Sequence, residues 1–344
     1  MSRHSFTPPV VTFVRRHPSR YALAALAIVM TGWAATGGVV DPARADETRA
    51  LPSSGPAVGP VTGIAYLGSV PALPSAPVTV APSPTPSVSA AALRTTGPRA
   101  VPGATPDQVL SKRLASVVAA TPASLSVAVL DPADGRTARY GVRAGVTYDT
   151  ASIVKVDILA TLLLQAQDQH RGLTTQEKAF ATSMIRISDN ASADALWRVI
   201  GEAPGLDAAN RRFGLTGTTG GAGAHWGLTQ TTATDQLALL TAVFGTDSPL
   251  DQSSRTYLRG LMGGIAAGQD WGVSAAGPVT GLKNGWLQRT ATGRWDVNSI
   301  GLVQVDGHDR LVAVVSRDNV SMADGVSLVE KAAKAAVQAL DTTA

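Results

Sequence analysis

The chain has 344 residues with 29 Lys and Arg, 25 Asp and Glu, and no cysteine. That length admits one large domain or two small ones with extensions. The missing cysteine excludes disulfides, cysteine metal sites, thiol catalysis and a lipid-modified N-terminal cysteine. From Thr105 onward 21 basic residues face 22 acidic ones, so the basic excess sits in the leader and no nucleic-acid surface is expected.

Arg15, Arg16 and Arg20 precede an apolar run from Tyr21 to about Val40, and Ala43-Arg44-Ala45 offers a small-x-small cleavage site. Residues 1–45 therefore read as a signal peptide or a membrane anchor, since about twenty apolar residues also suffice to span a bilayer. Either reading places the remainder outside the cytoplasm, with membrane contact only through that anchor. Residues 46–104 are rich in Pro, Ala, Ser and Thr, as in Pro82-Ser83-Pro84-Thr85-Pro86, and bury too little apolar surface to offset ordering entropy. They are expected to form a disordered linker before a domain over 105–344.

Leu125 to Leu130 alternates and predicts a strand, which Asp134-Gly135 turns into a second strand through Tyr140. Ile153 to Gln167 carries an apolar stripe and predicts a helix stopped by Gly172. Thr174-x-x-Glu177 is a capping box that opens the next helix. Further helices are predicted from Asn190 to Ile200, Ala208 to Phe213, Thr234 to Phe244, and from a Ser248-Pro249 cap to Met262. Strands return at Pro278–Lys283, Val297–Val305 and Arg310–Ser316, the last two joined through Asp306-Gly307. Ser321 to Leu340 predicts a closing amphipathic helix. The order gives an α+β fold: a five-stranded antiparallel sheet flanked by terminal helices, with an inserted all-helical subdomain.

Three short motifs carry chemistry. Ser152-Ile153-Val154-Lys155 puts a hydroxyl and an amine on one helix face. A deprotonated amine there can activate the serine, and the helix N-terminus favours a developing oxyanion. Ser188-Asp189-Asn190 precedes a helix, where its plain role is N-capping. Lys283-Asn284-Gly285 ends a strand, where a lysine also serves as an edge charge. Each motif has such a structural reading by itself; their order on helix, loop and strand is harder to obtain by accident.

From Leu125 to the C-terminal helix the domain resembles the serine β-lactamase and penicillin-binding D-Ala-D-Ala peptidase superfamily, nearest the class A pattern. The resemblance implies that Ser152 is acylated and that Lys155 takes its proton. It further implies that Ser188 relays the proton to the leaving nitrogen and that Asn190 holds the substrate amide. Lys283 and Asn284 would meet the substrate carboxylate. Gly285 belongs to the same strand motif, and the Ser152 and Trp286 backbone N–H groups would form the oxyanion hole. Three departures stand out: Asn284 replaces a threonine, the stretch between the first two motifs is short, and His225-Trp226-Gly227 replaces the Trp-Glu pair whose carboxylate activates deacylating water. Asp207 and Asp235 are the nearest substitute carboxylates.

No cofactor is expected, and the histidines and carboxylates show no metal spacing. His225 reads as structural or solvated, and His170 and His308 as surface residues. The expected partners are a small-molecule β-lactam or a peptidoglycan stem peptide, and the chain is expected to be a monomer. The implied activity is an acyl-enzyme hydrolase with slow deacylation. The other reading is a non-catalytic sensor or cell-wall-binding protein of the same fold.

Overall fold

The computed structural model describes residues 103–341, so the leader, most of the linker and the assignments made for them lie outside it. Helix α1 (Pro106–Ala119) opens with a reciprocal capping box between Thr105 and Gln108 and has proline in its first turn. It adds an element to those expected from sequence. Strands β1 (Ser124–Leu130) and β2 (Thr137–Tyr140) form the expected hairpin. β3 (Tyr148–Asp149) leads through a 3-10 turn (Ala151–Ile153) into α2 (Val154–Asp168).

The helical block continues with α3 (Thr175–Arg186), α4 (Asn190–Ile200) and α5 (Glu202–Phe213). Helix α5 begins earlier than the expected Ala208, since Pro204 falls in its first turn, where its missing N–H costs no intrahelical bond. A 3-10 turn (Trp226–Leu228) and β4 (Gln230–Thr231) precede α6 (Ala233–Phe244) and α7 (Gln252–Met262). Asp251, rather than the Ser248-Pro249 pair, caps α7 by accepting from the Ser254 N–H at 2.7 Å. Last come a 3-10 turn (Val273–Ala276), β5 (Val279–Gln288), β6 (Trp295–Val305), β7 (His308–Asn319) and α8 (Met322–Asp341).

The main sheet is antiparallel in the order β2-β1-β7-β6-β5, and β3 pairs with β4 in a separate ribbon. Asp306 and Gly307 both have positive φ in the β6–β7 turn, the backbone that a two-residue hairpin favours. One sheet face buries Val127, Val129, Val312 and Val314 against Leu110 and Leu114 of α1 and the Ala- and Val-rich face of α8. The other face buries Ala128, Ile300, Ala313 and Val315 against α6 and the helical block. Helix α2 is enclosed nearly all round, so it reads apolar on every side except where Lys155, Asp157 and Thr161 intervene. Its N-terminal end, the α3–α4 turn and β5 meet at one place.

Candidate active site

Ser152 lies in the 3-10 turn leading into α2, half-buried, directly after Ala151. Ala151 holds a positive φ of 46°, a conformation costing an L-residue about 1–3 kcal/mol. Ser188, at the α3–α4 turn, is likewise left-handed with φ 58°. Two strained non-glycine residues thus aim the two serines of the motifs.

Lys155 is fully buried, and its ammonium donates to the Ser188 carbonyl at 2.6 Å, the Ser188 hydroxyl at 3.1 Å and Asn190 Oδ1 at 2.7 Å. Lys283 reaches the same Ser188 hydroxyl at 3.1 Å from the opposite side, and also the Asn284 carbonyl at 2.9 Å. Burial lowers the Lys155 amine to about 8, with Asp189 and Asp194 opposing the shift. Burial, reinforced by the Lys155 charge, lowers Lys283 to about 7. Such amines can exchange protons near neutrality, which ordinary surface lysines do not do.

Gly285 fits between strand and turn. A Cβ there would lie 2.7 Å from the Ser152 nitrogen, 2.7 Å from the Thr150 carbonyl oxygen and 2.8 Å from the Ile153 nitrogen. This close approach packs β5 against the turn that carries Ser152 and places Trp286 one residue beyond it. From the other side, the Asn298 amide donates to the Asp149 and Thr150 carbonyls at 2.8 and 3.0 Å. Asp149 is paired with Arg289 and accepts from Gln230.

Lys155, Ser188, Asn190 and Lys283 meet in one hydrogen-bonded cluster, and Gly285 packs on the backbone of Ser152, with Trp286 the next residue on the strand. The Asn284 side chain does not join them. Alternation along β5 turns its side chain away from Lys283 and Gly285, to the opposite sheet face. There it is fully buried and donates to the Gln269 and Trp271 carbonyls at 2.8 and 2.9 Å. The carboxylate-binding role expected for Asn284 is corrected accordingly: it fastens the 269–271 segment to the strand.

The two substitute carboxylates are engaged elsewhere. Asp207 accepts from the Gly220 N–H, while Asp235 is buried and accepts from the Gly217 N–H and the Thr218 hydroxyl. Sequence reasoning missed Asp194 and the true place of Trp226. The Trp226 ring lies 4.8 Å from the Lys155 nitrogen, and its Nε1–H donates to Asp194 Oδ1 at 2.7 Å. The available signal was spacing, since Asn190 and Asp194 are i and i+4 on one helix. His225 is exposed, in line with its structural or solvated reading.

A cleft of about 660 Å³ adjoins the lysine cluster through Asn190 and Trp226, and is lined also by Asp194, Leu287 and Arg289. A separate cavity of about 600 Å³, against α2 and α7, contains none of the motif residues. Among the described residues no group of His, Cys, Asp and Glu is arranged to hold a metal ion.

The comparisons agree with this fold. Solved structures with the same fold include a class A beta-lactamase representative from Bacteroides cellulosilyticus, 18% identical with TM-score 0.60, covering 70% of this chain and 100% of that one. The TLA-3 extended-spectrum beta-lactamase is 16% identical with TM-score 0.61, covering 68% and 99%. A beta-lactamase from Streptosporangium roseum is 20% identical with TM-score 0.56, covering 68% and 99%. A search of curated protein sequences gives no match. The model of the beta-lactamase enzyme family matches residues 167–340, a span that includes Ser188, Asn190 and Lys283 and begins after Ser152 and Lys155. With over half its length matched and the fold shared, the chain belongs to the beta-lactamase enzyme family.

Proposed function

We propose that the protein is a serine acyl-transfer enzyme that forms a covalent intermediate at Ser152 with β-lactams or D-Ala-D-Ala-like amides, and that this intermediate is released slowly. The observation that carries the reading is the placement of the Ser188 hydroxyl between two buried amines at 3.1 Å each. Ser152 Oγ attacks the carbonyl carbon and its proton passes to neutral Lys155. The carbon–nitrogen bond then breaks, and Ser188 relays a proton to the leaving nitrogen. The backbone N–H groups of Ser152 and Trp286 stabilise the oxyanion, each donor contributing about 3 kcal/mol. Protonated Lys283 attracts the substrate carboxylate.

Slow release follows from the surroundings of Lys155. Asp189 is occupied as the α4 cap, accepting from the Ser192 N–H at 2.6 Å, and Asp194 receives the Trp226 indole. Among the described residues neither carboxylate is hydrogen-bonded to Lys155, and each has one oxygen committed to another donor. The leader and linker support export, with the domain working in the cell-wall space on a stem peptide or a small β-lactam.

Intact-mass spectrometry with a penicillin, followed from minutes to hours, tests the reading. A persistent adduct on Ser152, absent in Ser152→Ala, is expected. Rapid penicillin loss without adduct would overturn slow release, and neither adduct nor turnover would favour the non-catalytic sensor.

A further inference from the structure

One face of α4 fastens both the lysine and the loop above it. Asn190 accepts from Lys155, Asp194 accepts from the Trp226 indole four residues later, and Trp197 Nε1–H donates to the Gly223 carbonyl at 2.7 Å. Residues 190, 194 and 197 follow helical spacing, so a single rigid element sets all three contacts. The loop is pinned again at its far end, where the Thr150 N–H donates to the Thr229 carbonyl at 2.9 Å, next to the nucleophile turn. Trp226 therefore lies across the Lys155 amine at 4.8 Å and borders the cleft.

We propose that Asp194 is a positioning residue that holds Trp226 as a lid over Lys155, and that this lid keeps water from using the amine as a base once Ser152 is acylated. This inference rests on the acyl-enzyme reading above. Hydrolysis requires water to add to the acyl carbon while giving a proton to the amine, after which the bond to Ser152 Oγ breaks and the serine regains a proton. A ring over the amine blocks the approach of that water. The ring face also attracts the ammonium form, as does the Asp194 charge. The other charged groups facing Lys155 are Asp189, which acts in the same direction, and Lys283, which opposes it.

The test compares Asp194→Asn and Trp226→Phe with the parent chain. The first keeps the shape and weakens the acceptor; the second keeps a ring and removes the N–H donor. Both should shorten the lifetime of a penicillin adduct about tenfold, the scale of losing one hydrogen bond to a charged group. Asp194→Asn should also move the alkaline rise of acylation to lower pH, because the lost carboxylate favoured the protonated amine. An adduct lifetime unchanged in both variants overturns the lid, whatever the pH limb does. A second readout needs no acylation: the Trp226 emission, taken as parent minus Trp226→Phe, should titrate near pH 8 with its midpoint lowered by Asp194→Asn. If the parent takes no acyl group, the enzymatic reading fails on its own. In that case an emission that does not titrate overturns the lid contact as well.

Discussion

Replacing Asp157 by Asn tests whether the floor of the site is strained by a buried acid. Asp157 lies on α2, two residues beyond Lys155, fully buried, with neither carboxyl oxygen receiving a hydrogen bond of normal geometry. Burial pushes its carboxyl up to about 7; nearby Asn210 offsets part of this, and Asp207 and Asp235 add to it. Against an ordinary value of 3.8, the folded chain keeps a proton that the unfolded chain releases. The native state binds more protons between those two values, so stability falls as pH rises from about 4 to 7 and then levels. Roughly three pH units at 1.36 kcal/mol each give a loss of about 4 kcal/mol above pH 7. Asn cannot ionise and matches the neutral acid in shape. The gain of Asp157→Asn over the parent should be about 1–2 kcal/mol at pH 5 and grow to about 4 kcal/mol at pH 8. Urea unfolding of both proteins at the two pH values measures it. A difference that stays constant with pH, or that favours Asp at pH 8, would refute the assignment of a neutral buried acid.

Other predictions concern the strand and the lysines. Gly285→Ala should cost about 1–3 kcal/mol and abolish acylation, because its Cβ meets backbone atoms on three sides; thermal melting and adduct mass report the two effects. The acylation rate should follow a bell in pH with its maximum between about 7 and 8, because the reactive form needs Lys155 neutral and Lys283 protonated, and only a minority of molecules hold the proton that way round. Lys283→Arg holds its charge at all working pH and should remove the falling limb; stopped-flow acylation across pH 6 to 9 checks both. Asn284→Ala should lower stability by about 1–3 kcal/mol by leaving the part-buried Gln269 and Trp271 carbonyls without their donor. Its effect on penicillin affinity should be smaller than that of Lys283→Ala, and paired denaturation and competition binding separate the two.

The parts of the site that were legible in the sequence are those built from local order. Ser152 and Lys155 sit one helical turn apart, and the two lysines fall on elements whose type the hydrophobic pattern already sets. The Asn284 direction depends on which face of β5 meets the Ser152 turn, a tertiary fact fixed by the Gly285 approach rather than by composition. Trp226 and Asp194 are 32 residues apart and meet only because α4 and the 223–229 loop pack together. Helix α1 was missed although Thr105, Pro106 and Gln108 form a start signal, since only Leu110 and Leu114 are buried and the periodic stripe is thin. Strand ends ran longer than expected because cross-strand pairing continues past the apolar stretch, as at Leu287 with Asp296.

On the acyl-enzyme reading proposed above, the two buried amines supply most of what the first half of the reaction requires. Both contact one hydroxyl oxygen and so lie within about 6 Å of each other, where like charges disfavour double protonation. Asp189 and Asp194 are the carboxylates whose charges favour the Lys155 ammonium, and each is already bound to another donor. Around neutral pH the cluster therefore holds a proton that is easily moved between Lys155 and Lys283, with Ser188 as the bridge. Acylation needs only that transfer, from the attacking serine to the leaving nitrogen. Hydrolysis needs a second base aimed at water, and the residue over Lys155 is an indole. On the mechanism proposed above, one constellation would favour capture of an acyl group and retard its release, and the rate ratio of the two steps would be set chiefly by what covers Lys155.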